Sequence, residues 1–362
     1  MQDFTQLNLP QSMLDSITKL GIKTPTPIQA KTMPTILKGS DVVGTAQTGT
    51  GKTLAFGIPV ALQLLLHPET TALILTPTRE LAMQVMKSIQ AIMCNTITNK
   101  TVLLIGGDPI HKQIKRLRTS NPRLIVGTPG RVIDHIERKT VDLSNTKFLV
   151  LDETDRMLDM GFSIQIDNII KHIPKQRQTL LFSATMPSNI VKISKKYLID
   201  PLRVAIDSTF KPAANLKQEH IKLQEKDKPT QLIAEIEKRT GSIIVFVKTK
   251  RAADRIAIKL DKSGHSAAAI HGDLRQSKRA KVIKEFSRGE HRVLVATDVA
   301  ARGLDIDCIE HVINYDLPQC PEDYIHRIGR TARAGKSGEA MSFVTPGTNK
   351  MWQIINRLLK SK

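Results

Sequence analysis

The chain has 362 residues, 40% of them hydrophobic, and a formal charge of +20. That length suits two domains with sizeable cores; no apolar run approaches the length needed to span a bilayer, and residues 1–7 show no signal-peptide pattern. Three scattered cysteines, Cys94, Cys308 and Cys320, lack metal-ligand spacing, which argues against a disulfide framework or zinc site and makes a reducing, cytoplasmic setting the expectation.

Short aliphatic runs recur at residues 41–44, 72–76, 101–105, 124–126, 148–151 and 179–182, with helix-like segments such as 54–66 and 79–94 between them. Continuous apolar runs alternating with helices predict a mainly parallel sheet covered on both faces. Residues 207–217 (DSTFKPAANLK) are polar, contain Pro212 and have no period, so they read as a linker between domains 1–206 and 218–362. Beyond it the scheme repeats at 242–247, 267–270, 292–296, 311–315 and 340–344. The expected fold class is α/β, in two tandem domains.

Residues 46–53 (AQTGTGKT) follow a strand and precede a helix, the context of a phosphate-binding loop. Its glycines let backbone N–H groups turn toward phosphates, and the helix N-terminus adds a favourable dipole. Lys52 is placed on the β- and γ-phosphates, and Thr53 on Mg²⁺. Residues 149–153 (LVLDE) end a strand in paired carboxylates. Asp152 can hold magnesium through water, and Glu153 can orient or deprotonate an attacking water.

Residues 22–29 (IKTPTPIQ), the loop 46–53, 152–155 (DETD), 183–185 (SAT), 296–306 (ATDVAARGLDI) and 326–335 (HRIGRTARAG) stand in one order. In that set the chain closely resembles a DEAD-box ATP-dependent RNA helicase of superfamily 2 over essentially its whole length, with DETD in place of DEAD. The resemblance implies two RecA-like domains closing on one nucleotide. It implies that Gln29 reads the adenine edge, with Thr24 beside it and Phe4 packed nearby. Ala46, Gln47, Thr48, Gly49, Thr50, Gly51, Lys52 and Thr53 would then line ATP, and Asp305 would hold its ribose. Arg330 and Arg333 would serve the γ-phosphate as arginine fingers. His326 and Arg327 would join the network between lobes, while Ser183 and Thr185, with Asp155, would couple hydrolysis to strand separation. If residues 326–333 are helical, Arg327, Arg330 and Arg333 share a face.

The charge is spread over both halves: residues 1–206 hold 25 Lys and Arg against 15 Asp and Glu, and residues 207–362 hold 29 against 19. A polyanion touching both is the expected partner. Loops after expected strands supply hydroxyls, glycine amides and cations suited to phosphates and 2′-OH groups. They contain Pro77, Thr78 and Arg79; Gly106 and Gly107; Thr128, Pro129, Gly130 and Arg131; and Lys248, Gly272 and Thr297. In an open parallel sheet such loops lie along one edge. With 4% aromatic residues and no base-reading set, RNA recognition should show little sequence preference. The expected activity is RNA-stimulated ATP hydrolysis with local duplex unwinding. An ATP-gated RNA clamp and a DNA translocase are the alternatives.

Overall fold

Consecutive residues along the strands go to opposite faces, and both faces are apolar. Leu73 and Leu75 enter one core while Ala72 and Ile74 enter the other; Leu149 and Leu151 part from Phe148 and Val150 in the same way. A sheet with two apolar faces needs helices on both, which is the doubly covered parallel arrangement.

The computed structural model describes residues 1–46, 49–93, 95–206, 215–301, 309–332 and 337–360. They belong to two units, Met1–Ser208 and Thr209–Lys362. The first holds β1 (Val42–Thr45), β2 (Thr71–Leu75), β3 (Thr101–Leu104), β4 (Leu124–Gly127), β5 (Thr146–Leu151), β6 (Gln178–Ser183) and β7 (Leu202–Ala205). Its sheet runs β3-β4-β2-β5-β6-β1-β7 with every pair parallel. The helix Lys52–Leu66 (KTLAFGIPVALQLLL) is apolar on most of its circumference and correspondingly buried. Its Phe56 ring packs 5.3 Å from that of Phe182. β1 passes so close that a Cβ on Gly44 would lie 2.6 Å from the Phe182 ring, so only glycine fits there.

The second unit holds β8 (Leu216–Lys222), β9 (Ile243–Phe246), β10 (Ala267–Ile270), β11 (Val293–Ala296), β12 (His311–Asn314) and β13 (Gly338–Val344). The order is β10-β11-β9-β12-β13-β8, again all parallel. Ile244, Phe246 and Leu294 meet Val282, Phe286, Tyr324 and Trp352 on one face. Ile243, Val245 and Val293 meet Leu232, Ile236, Ile256 and Leu260 on the other.

Two edge strands, β7 and β8, have no counterpart among the sequence-predicted runs. β7 buries only Val204, and β8 (LKQEHIK) is polar along most of its length, so neither shows the apolar run that marks an interior strand. Leu216 and Lys217, read as linker, open β8. The helix expected over 79–94 ends at Gln90, and Cys94 lies outside the described residues.

Candidate nucleotide and nucleic-acid sites

β1 ends at Thr45, and the chain turns into the helix that opens at Lys52. Gly49 and Gly51 carry φ of 86° and 89°, the left-handed region closed to most side chains. At Gly51 a side chain is doubly excluded, because a Cβ would sit 2.5 Å from Gln29 Nε2. Lys52 is buried, and its Nζ donates to Ala46 O at 2.5 Å, which aims the ammonium across the loop. Ala46 is buried as well, and its N–H donates to Ser183 O at 3.1 Å, tying the loop to the SAT segment. Thr50 and Thr53 are half-buried and Gly49 is exposed, while Gln47 and Thr48 lie outside the described residues.

Gln29 reaches this loop from the helix Pro27–Leu37. Its Nε2 donates to Gly51 O at 3.0 Å, and its Oε1 accepts from the Thr26 N–H at 3.0 Å. One amide N–H and one lone pair remain for a base edge. Phe4 is buried in the adjoining core, and Thr24 is exposed.

β5 ends at Leu151, and the acidic tetrad follows. Asp152 is anchored through its N–H to Leu75 O at 3.0 Å. Burial, then the Glu153 charge, pushes its carboxyl up to about 7, with the Lys52 ammonium pulling the other way. Glu153 adopts φ 50° and ψ 50°, a left-handed conformation that costs a non-glycine residue about 1–3 kcal/mol. Its Oε2 accepts from Arg156 Nη1 at 3.1 Å in a pair with both side chains buried. Thr154, where the family name has alanine, is fully buried, and its hydroxyl lies 3.1 Å from Leu151 O and 3.3 Å from Phe182 O. That hydroxyl links the ends of β5 and β6. Asp155 Oδ2 accepts from the N–H groups of Ala184 and Thr185 at 3.0 and 2.9 Å and from Thr185 Oγ1 at 3.0 Å. The tetrad and the SAT segment are thereby one hydrogen-bonded body. Ser183 Oγ is buried without a partner among the described residues.

The first unit also gathers three of the expected RNA loops. A Cβ on Gly106 would lie 3.3 Å from Arg79 Nη2, so this guanidinium packs on the glycine backbone. Thr78, with buried Pro77 before it, caps the helix Arg79–Gln90 by accepting from the Leu81 N–H at 3.3 Å. Gly107 and Gly130 are exposed, whereas Thr128 and Pro129 are buried at the start of the helix Pro129–Glu137. Arg131 Nη1 donates to Asp108 O and Gln113 Oε1, both at 3.0 Å. Burial lowers the Arg131 pKa and Arg79's charge adds to that shift, while Asp134 opposes both.

In the second unit Lys248 is exposed, and its N–H donates to Asp316 Oδ2 at 2.9 Å. Gly272 is exposed beside His271, whose Nε2 lies 3.0 Å from Asp254 Oδ1. The Thr297 N–H donates to Ile270 O at 3.3 Å. The helical register expected over residues 326–333 ends early among the described residues, so Arg327 and Arg330 do not share a helix face. The helix Pro321–Ile328 stops before Gly329, Arg330 lies in the tight turn after it, and Ala332 is left-handed at φ 55°. Glycine at the helix end and that left-handed residue break the i, i+3, i+6 register. Arg327 is buried and bidentate on Asp298 at 2.6 and 2.7 Å, with a further bond to Asn314 Oδ1 at 3.0 Å. All of these partners lie in its own unit. Arg330 is buried and His326 half-buried; Arg333 and Asp305 lie outside the described residues.

Arg156, Gln113 and Asp316 hold these loops, yet the sequence reading missed them. Arg156 stands at i+3 from Glu153, a helix spacing that could have flagged the pair. Gln113 and Asp316 act across 18 and 68 residues and carry no local signal.

The DEAD/DEAH box helicase family matches residues 26–193, and the helicase conserved C-terminal domain matches residues 227–335. The chain is 44% identical over 363 residues to the DEAD-box ATP-dependent RNA helicase CshA of Bacillus subtilis, covering 99% of this chain and 73% of that one. Identity to CshA of Geobacillus kaustophilus is 46% over 365 residues, covering 100% and 78%. The structure of S. cerevisiae Dbp5 bound to RNA and ADP BeF3 is similar at a TM-score of 0.86 and 31% identity, covering 99% and 94%. On these matches, and with the glycine loop, acidic tetrad and SAT segment assembled at neighbouring strand ends, the chain belongs to the DEAD-box helicase family.

Proposed function

We propose that the chain is an ATP-dependent RNA helicase whose first unit binds ATP on the loop Ala46–Thr53 and whose strand-end loops hold the RNA backbone. The observation that carries the reading is the single body formed by the phosphate loop, Asp152, Glu153 and the SAT segment through Ala46, Asp155 and Thr185. In it, a water beside the γ-phosphorus loses its proton to Glu153 as it attacks, and the bond to the β,γ-bridging oxygen breaks, giving ADP and phosphate. Lys52 neutralises charge on the phosphates, and Arg330 is assigned the same task. The donor set suits a divalent cation: the buried Asp152 and Glu153 carboxylates stand at the strand end beside the glycine loop that carries Thr53 and Lys52. Asp152, through water, and Thr53 would hold Mg²⁺, which when bound supplies charge neutralisation at the β- and γ-oxygens. Gln29 contributes adenine contact with its spare N–H and lone pair. The scattered cysteines support a cytoplasmic site of action; among the described residues no helix is long and apolar enough to cross a membrane.

The test is ATPase stimulation and displacement of a short RNA duplex by the full chain, beside DNA of matched sequence. RNA-selective stimulation with displacement is expected. Hydrolysis without displacement makes the protein an ATP-gated RNA clamp, and equal stimulation by DNA makes it a DNA translocase. Arg330→Ala in the full chain should lower RNA-stimulated kcat while leaving RNA binding in place; unchanged kcat removes Arg330 from the phosphate site.

A further inference from the structure

The helix Ile110–Ser120 (IHKQIKRLRTS) carries Lys112, Lys115, Arg116 and Arg118, all exposed, and no acidic side chain. Among the described residues none of the four has an ion-pair partner. The helix Ser188–Tyr197 is also basic and acid-free, but there Lys196 pairs with Asp167 at 2.8 Å. Like charges three and four residues apart repel, each pair costing a few tenths of a kcal/mol. The helix therefore carries a charge that its own fold leaves uncompensated.

Its attachment gives that charge a place. Gln113 is buried on the inner face; its Nε2 donates to Ile105 O at 2.9 Å, and its Oε1 accepts from Arg131 Nη1 and from His135 Nε2, both at 3.0 Å. Burial, then the Arg131 charge, lowers the His135 pKa, which suits a neutral ring donating to Gln113. One side chain thus fixes the basic helix to the Gly106–Gly107 turn and to the arginine of the Thr128–Arg131 loop. Beside the helix, on the sheet's β3 edge, a groove of about 440 Å³ is lined by Gln90, Asp108, Lys112 and Arg116. At 1.5 Å per residue the helix carries its cations out to about 12 Å from its start at Ile110 along this flank.

We infer that the helix Ile110–Ser120 is an auxiliary RNA-binding surface that takes the phosphates of the strand leaving the Gly106–Arg131 end of the track. The inference rests on the proposed RNA-helicase reading and extends the binding surface beyond the motif loops. Charge complementarity and the Gln113 connection favour an RNA strand over an acidic protein segment. The contacts are to backbone phosphates, so they add affinity and salt dependence without sequence preference.

The test uses the full chain with Lys112, Lys115, Arg116 and Arg118 all replaced by alanine, a good helix former. Binding would be measured with a non-hydrolysable ATP analogue, over a range of salt, to RNAs of about 8 and about 24 nucleotides, the first within and the second beyond the site sizes usual for single-strand grooves. Wild type should bind the longer RNA more tightly. The variant should keep wild-type affinity and ATPase stimulation with the short RNA and lose the advantage of the long one. Its salt slope on the long RNA should fall by up to about 3, at about 0.7 for each phosphate released. Lys112→Arg with Lys115→Arg, which keeps the charge, should bind both RNAs as wild type does. Unchanged long-RNA affinity and slope in the alanine variant overturns the inference. So does an equal loss on the short RNA, which would mean that the helix supports the core site instead. Failure of the helicase reading itself shows in the wild type, as no stimulation by either RNA.

Discussion

The two units share a parallel-sheet plan and place their motifs at strand ends, but they hold those motifs by different means. In the first, carboxylates and amides do the work: Asp155 accepts four hydrogen bonds, Gln29 bridges its own helix cap to Gly51, and Gln113 gathers Ile105, Arg131 and His135. In the second, cation–carboxylate pairs do it. Arg327 clasps Asp298, and buried Lys228 reaches Asp316 at 2.8 Å, while Asp316 in turn holds the Lys248 amide. The contrast is between acceptors that gather backbone amides and buried cations that are themselves taken up by carboxylates, so the second unit's pairs hold loops in place without adding free positive charge. A scaffold shared by both thus says little about which chemistry each performs.

The largest expected effect lies on the acidic side. Glu153→Gln should lower kcat for ATP by about 10²–10⁴-fold with nucleotide binding retained, as loss of a general base does. Single-turnover hydrolysis beside a nucleotide-binding titration checks it, and near-normal turnover would deny Glu153 its role. On the cationic side Arg327→Ala strands Asp298 and opens a void against the Phe246 ring, 4.9 Å away. The expected loss is about 3 kcal/mol, near the lower end for broken buried ion pairs. Urea denaturation reads it, and Arg327→Lys should recover only part because an ammonium cannot form the bidentate fork. Asp155→Ala leaves the buried Ala184 amide and the half-buried Thr185 amide without an acceptor, a cost of about 2 kcal/mol. It should also reduce RNA duplex displaced per ATP hydrolysed, since the tetrad and SAT segment are no longer joined. Thr154→Ala removes one shared hydroxyl bond and should cost no more than about 1 kcal/mol while leaving ATPase and displacement intact. A larger functional loss would show that the link between β5 and β6 is part of the coupling.

Interior strands were legible from residues alone because runs such as TALIL and TKFLVL carry the mark of burial on both faces. Of the four edge strands, β3 and β10 carry short apolar runs and were legible too, whereas β7 and β8 bury little of their length and carry no such run. At the site, the phosphate loop was visible as glycines in a strand-to-helix context. The arginine register failed because periodicity was extended through Gly329, where the backbone leaves the helix. Arg156, Gln113 and Asp316 were missed for a different reason. Their partners are set by the packing of elements, and no short window of sequence contains that information.

Gln29 gives this molecule a reciprocity. The same amide that has a face left for a purine also restrains the glycine at the mouth of the phosphate cradle. If the amide reads a purine as proposed, any coupling through it acts equally in both directions: the base changes the affinity of the cradle for phosphates by the factor by which the phosphates change that for the base. A nucleotide with the wrong base would then forgo that coupling together with the edge contact.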